Sequence, residues 1–125
     1  MQNSTETLAK RDNLKRSFSS EEIAALNQKY RRLTPEDRLK EVYRDFELEE
    51  IILTTSFAAT SALLLNLVSE ANKSQLIYFI DTGYHFNETH IYKDYLIKLY
   101  DLNVVEQRAD EQLHAFTTKE RTWEK

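Results

Sequence analysis

The 125-residue chain contains no cysteine. That excludes a disulfide framework, a thiolate metal site and a thiol nucleophile within these residues. Glycine and proline occur once each, so sharp backbone bends have few places to sit. No stretch approaches the roughly 18 uninterrupted apolar residues of a membrane span. The opening residues Met1 to Thr7 have no apolar h-region, so a secretory signal is not expected and the cytoplasm is the expected compartment. An excess of basic charge is also missing. Lys and Arg total 17 against 21 Asp and Glu, for a net charge of −4 and a pI near 5.4. That balance argues against a nucleic-acid partner.

What is present suffices for one domain with a buried core: 41% of residues are hydrophobic, including seven Tyr and six Phe. The first 18 or so residues are polar and weakly periodic, and read as an N-terminal arm preceding a domain over 19–125. Ser19, three residues before Glu22, fits a capping box opening a helix with Ile23, Leu26 and Tyr30 on one face. Thr34 and Pro35 form an N-cap and first helical position for a second helix striped with Leu39, Val42, Tyr43 and Phe46. Glu50 to Thr54 then reads as a strand. The nearly all-apolar stretch Ala58 to Ala71 reads as a helix buried on several sides.

Leu76 to Ile80 is the second expected strand. Asn87 and Glu88 open a helix whose Ile91, Tyr95, Leu96, Leu99 and Tyr100 point inward. Asn103 to Glu106 is the third strand, and a short helix runs from Asp110 through Phe116. Both strand-to-strand links contain a helix, which requires parallel pairing with right-handed crossovers. The expected fold class is α/β, a partial doubly wound parallel sheet, with two N-terminal helices followed by β-α-β-α-β.

The single glycine, Gly83, lies in Ile80-Asp81-Thr82-Gly83-Tyr84-His85-Phe86 at the carboxyl end of the second strand. Ligands of open α/β sheets bind at that edge. The turn Thr54 to Ala59 reaches the same edge and leads into a helix N-terminus, which attracts phosphate or sulfate. Thr55 and Ser56 add hydroxyl donors, and Ala58 and Ala59 permit close approach. The plainer alternative is that Thr55 or Ser56 caps the helix.

Taken together, the two turns carry a resemblance. Thr55-Ser56-Phe57-Ala58-Ala59, the aliphatic helix with Leu63-Leu64-Leu65-Asn66-Leu67-Val68, and Asp81-Thr82-Gly83-Tyr84-His85-Phe86-Asn87-Glu88-Thr89 resemble the phosphoadenosine phosphosulfate (PAPS) and adenosine phosphosulfate (APS) reductases, over roughly Ile23 to Lys125. The resemblance implies the adenine nucleotide α-hydrolase-like fold. It also implies reduction of an adenylyl sulfate to sulfite in sulfate assimilation and cysteine biosynthesis, with thioredoxin or glutaredoxin as thiol donor. By the same carry-over, Thr55, Ser56, Phe57, Ala58 and Ala59 would cradle the phosphosulfate, and Asp81, Thr82 and Gly83 would line the nucleotide site.

The sequence departs from the family pattern at three points. Ala58 replaces the loop glycine, which would narrow the backbone or exclude a positive φ. No catalytic cysteine is present. The Arg-rich substrate loop and the later strands have no counterpart. The expectation is therefore the N-terminal half of such an enzyme, binding nucleotide weakly and turning nothing over by itself. No cofactor is expected in this chain; a 4Fe–4S cluster belongs only to a longer parent of the APS type.

The remaining candidates have plainer readings beside them. Arg108 at the same edge would neutralise a phosphate, or is a surface arginine. Asp81 would orient a ribose or adenine, or accepts hydrogen bonds from its own turn. Tyr84 and Phe86 stack near a base, or pack beneath the loop. His85, Glu88 and His90 are spaced three then two, which does not put them on one helical face, so no metal site is expected and both imidazoles are taken as solvated. One rival reading is an ATP pyrophosphatase-type adenylyltransferase of the same superfamily; Ser56 to Ser61 lacks its acidic residue. Another is a non-catalytic remnant, self-associating through an unpaired sheet edge.

Overall fold

The computed structural model describes residues 16–121. The chain divides into two compact units, residues 1–51 and 52–125; the expected arm lies mostly outside the described residues.

The first unit holds helices α1 (Ser20–Arg31) and α2 (Pro35–Asp45) and a single 3-10 turn, Leu48–Glu50. Both helices start where local chemistry directs. Ser19 Oγ accepts from Glu22 N at 3.1 Å while Ser19 N donates to Glu22 Oε2 at 2.8 Å, completing the capping box. Thr34 Oγ1 accepts from Asp37 N at 3.2 Å, with Pro35 in the first turn. The helices are joined by polar contacts more than by burial, since neither contains a fully buried residue. Lys29 Nζ pairs with Asp45 and Glu41 at 2.9 Å each, and the Tyr30 hydroxyl donates to Asp45 Oδ2 at 2.5 Å. Arg38 Nε caps the α1 carbonyl of Tyr30 at 2.8 Å.

The second unit is a three-stranded parallel sheet in the order β1 (Leu53–Thr55), β2 (Leu76–Asp81), β3 (Asn103–Arg108). Helix α3 (Ser61–Ala71) links β1 to β2, α4 (Asn87–Tyr100) links β2 to β3, and α5 (Glu111–Glu120) follows. The α/β class and parallel topology match the sequence expectation.

Side-chain alternation puts Ile77, Phe79 and Asp81 on one face of β2, all buried. There Ile77 and Phe79 join Phe57, Leu65 of α3, and Leu96 and Leu102 in one hydrophobic cluster. On the opposite face Leu76 and Ile80 are exposed. The core therefore lies between the sheet and α3 and α4, on one face only. This explains why α3, expected to be buried on several sides, keeps Leu65 and Val68 inside and leaves Leu63 and Leu64 exposed.

Several boundaries differ from expectation: the first strand is Leu53–Thr55, since Glu50 ends a 3-10 turn, the second strand reaches Asp81, and the last helix runs on to Glu120. Helix α3 begins at Ser61, not Ala58, because the chain first turns back through Phe57, which adopts φ 53° and buries its ring edge-on against Phe79 at 5.4 Å. Strand β3 continues to Arg108, because β2 supplies partners as far as Asp81. Helix α4 has Phe86 at its N-cap with no side-chain capping bond, in place of Asn87 and Glu88.

Helix α4 turns the expected Leu96 and Tyr100 inward but not the other three residues expected there. Leu96 and Lys93 are its buried residues, with Tyr92, Ile97 and Tyr100 packed against the core, while Ile91, Tyr95 and Leu99 are exposed. The helix carries two apolar stripes of equal spacing. The one that faces the sheet also brings Lys93 to a carboxylate on β3.

Candidate functional site

The carboxyl ends of the three parallel strands place the turns after β1 and β2 side by side. A hollow of about 660 Å³ lies there, lined from the first turn by Thr54, Thr55 and Ser56, from the start of α3 by Thr60, Ser61, Leu64 and Leu65, and from the second turn by Ile80, Thr82 and His85. Helix α3 starts without a side-chain cap; Ser61 N donates to the Ala58 carbonyl at 2.9 Å, and the N–H groups that follow it in the first turn carry the positive end of the helix dipole. Hydroxyls from Thr55, Ser56, Thr60, Ser61 and Thr82 share the same space. Neutral donors and a helix N-terminus suit an anion with several oxygens.

The first turn is held from inside. Phe57 N donates to Thr55 Oγ1 at 3.1 Å, tightening the turn, and the buried Phe57 ring anchors it to the core. Thr55 thus bonds within its own turn rather than capping the helix. The left-handed backbone falls at Phe57 and not at Ala58, so a residue with a Cβ at 58 meets no φ restriction. A bulky residue at positive φ costs on the order of 1–3 kcal/mol, sustained only where the surroundings over-determine it.

A second, smaller hollow of about 390 Å³ is lined by Asp81, Gly83, His90, Arg108, Ala109, Glu111 and His114. Asp81 is buried, accepts from Gly83 N at 2.9 Å, and pairs with Arg108 Nε at 3.1 Å across the ladder. The Gly83 amide, followed by the Arg108 charge, holds the Asp81 carboxyl below the ordinary carboxylate range against the opposing effect of burial. Gly83 takes φ +79°, the left-handed region that glycine enters freely.

The expected site residues therefore separate. Thr55, Ser56 and Thr82 meet around the larger hollow, whereas Asp81, Gly83 and Arg108 meet around the smaller one. Phe57 offers only its backbone, and Ala58 and Ala59 are exposed beside the turn. Arg108 is more than a free surface arginine: it bridges Asp81 and Glu106.

The two imidazoles taken as solvated pack instead near Phe79. The His85 ring lies 5.0 Å from it and the His90 ring 6.1 Å, and His85 Nε2 is 3.0 Å from the Ile80 carbonyl oxygen. Among the described residues, no group of three or more His, Cys, Asp or Glu could hold a metal ion. Tyr84 stacks on His114 at 5.0 Å and reaches Thr118 with its hydroxyl at 2.5 Å. Sequence reasoning missed His114, Glu111, Thr60 and Ser61. For His114 there was no local signal, since it meets Gly83 only through the fold.

The model of the phosphoadenosine phosphosulfate reductase domain family matches residues 50–125. The chain belongs to this family. Over 83 residues it is 34% identical to the adenosine 5'-phosphosulfate reductase of Mesorhizobium japonicum, covering 66% of this chain and 33% of that protein. The phosphoadenosine 5'-phosphosulfate reductase of Zymomonas mobilis is 34% identical over 101 residues, covering 78% of this chain and 41% of that protein. The chain thus spans between about a third and two fifths of these curated relatives.

A crystal structure of phosphoadenylyl-sulfate reductase from Candida auris, in a phosphate complex, superposes with a TM-score of 0.68 at 25% identity, over 83% of this chain and 51% of that one. The matched residues of the reductase domain include both turns and both hollows. No helix among the described residues is long and apolar enough to cross a membrane.

Proposed function

We propose that the second unit is the nucleotide- and phosphosulfate-binding portion of an adenylyl-sulfate reductase, an oxidoreductase of sulfate assimilation that yields sulfite. The observation that carries this reading is the larger hollow, in which the turns after β1 and β2 face one another across the start of α3. Thr55, Ser56 and the α3 N-terminus hold the sulfate and α-phosphate oxygens, with Phe57, Ala58 and Ala59 shaping the turn. Thr82 closes the hollow from the other side, and Asp81, Gly83 and Arg108 fix that turn beside the nucleoside. Both APS-type and PAPS-type relatives are similar to the chain, so the substrate class is an adenylyl sulfate with or without a 3'-phosphate. That the similar Candida auris structure is a phosphate complex accords with anion binding in this fold.

In the reaction of such an enzyme a thiolate attacks the sulfate sulfur, and the bond from sulfur to the phosphate oxygen breaks. The adenylate leaves, and a second thiol from thioredoxin or glutaredoxin then releases sulfite with formation of a disulfide. These 125 residues hold no cysteine, so the attacking thiolate comes from outside them. The role of this unit is to hold the substrate and to donate hydrogen bonds to the leaving phosphate, whose charge grows as the bond breaks. Iron–sulfur clusters are held by cysteine thiolates; these residues do not fit one, and no step is routed through it.

Isothermal titration with adenosine 3',5'-bisphosphate tests the reading. Binding that Ser56→Ala and Thr82→Val each weaken about tenfold is the expected result, the loss of a charge-assisted hydrogen bond. No heat of binding, or binding untouched by both substitutions, contradicts it.

A further inference from the structure

Helix α4 carries a lysine in its buried face. Lys93 is only 6% exposed, with its ammonium 5.2 Å above the centre of the Phe79 ring. A lysine is almost never buried without a partner, and this one is ion-paired with Glu106 on β3; Asp94 is its more distant neighbour at 3.8 Å. Glu106 in turn lies 3.2 Å from Arg108 Nη2, and Arg108 Nε pairs with Asp81 at 3.1 Å. Asp81 accepts the Gly83 amide. One arginine thus stands between two carboxylates that compete for it; Glu106 is also ion-paired with Lys93, whereas Asp81 has the Gly83 amide and, beyond Arg108, only the His90 and His85 imidazoles acting on it by charge.

We propose that Lys93 is a positioning residue for the turn at 81–84: by occupying Glu106 it leaves Arg108 to Asp81, and Asp81 so held fixes the Gly83 amide. The proposal stands on this ladder of contacts. Its bearing on ligand binding rests on the function proposed above, and the readout is chosen to be independent of any ligand. The Lys93 contact is the leading cause that depresses the Glu106 carboxyl. The other groups facing Asp81 are His85 from its own loop, His90 from α4, and Glu111 and His114 across the smaller hollow from α5.

Gly83, as the single glycine, gives one unambiguous glycine amide signal in a nitrogen-15 correlation spectrum. Its shift follows the charge on the carboxylate that accepts its proton, so its pH midpoint reports Asp81. The wild-type midpoint lies below the ordinary value. Lys93→Met, which keeps length and apolar bulk, lets Glu106 draw Arg108 away. The midpoint then rises by about half a unit to one unit, the small end expected for loss of a partly exposed arginine. Arg108→Gln raises it as much, and Lys93→Met added to Arg108→Gln raises it no further.

A Lys93→Met shift that persists in full on the Arg108→Gln background shows that the lysine acts through space, and overturns the proposal. No shift for Lys93→Met alone overturns it too. If Lys93→Met fails to fold, the pair Lys93→Met with Glu106→Gln removes both partners of the ion pair, the buried lysine and the exposed carboxylate. Its midpoint stays at the wild-type value if the proposal holds, and a rise equal to that of Arg108→Gln refutes it.

Discussion

His114 Nε2 lies where a side chain on Gly83 would have to go: a Cβ built on that glycine comes 2.2 Å from it. The two residues are 31 positions apart, and their approach docks α5 on the turn that follows β2. It also leaves Nε2 buried with no hydrogen-bond partner among the described residues. Glycine is therefore required here twice over, by the φ of +79° and by the imidazole.

Gly83→Ala accordingly destabilises the second unit by about 1–3 kcal/mol, the cost of positive φ plus displacement of the ring. In urea unfolding, His114→Ala on the Gly83→Ala background restores part of the loss. Equal losses with and without His114 would show that backbone strain alone is responsible.

The core prediction turns on which face of the sheet is covered. Phe79 is fully buried between β2 and the two helices, so Phe79→Ala costs about 3–5 kcal/mol. Leu63 belongs to the same apolar helix but is 69% exposed, and Leu63→Ala changes stability by no more than about 0.5 kcal/mol. Denaturant midpoints of the two variants check the contrast.

The first unit has a pH signature at each end of the scale. The Tyr30 hydroxyl and Lys29 hold the Asp45 carboxyl below its usual range. That contribution is complete above the unfolded value near 3.8 and disappears as pH falls through the lower folded value. Burial, then the bond to Asp45, pushes Tyr30 up from 10.0 to about 12. Its contribution is complete below 10 and is lost as pH rises toward 12. A wild-type minus Tyr30→Phe difference in phenolate absorbance should titrate near 12, and Asp45→Asn should flatten the acid limb of a thermal melt.

Local features of the fold were legible in the sequence because local chemistry fixes them. Ser19 with Glu22, Thr34 with Pro35, and a glycine after a five-residue apolar run each carry their own instruction. What could not be read depends on distant partners. Ile91, Tyr95 and Leu99 share the spacing of Tyr92, Leu96 and Tyr100, and only the Glu106 carboxylate and the sheet decide that the second stripe turns inward with Lys93. Arg108 joined the strand because Asp81 stands opposite. The sheet edge at which the candidate residues gather was legible, but not their division between two hollows. Adjacent residues of a strand end face opposite ways, so Asp81 and Thr82 diverge.

In the proposed function the turns at 55–56 and 82 receive the anionic end of one adenine nucleotide between them. Amide correlation spectra recorded while adenosine 3',5'-bisphosphate is added test it most directly. Thr55, Ser56, Ser61 and Thr82 should shift together along one saturating curve, with the surface of α4 unmoved. Shifts confined to one turn, or curves with different midpoints at the two turns, would contradict it.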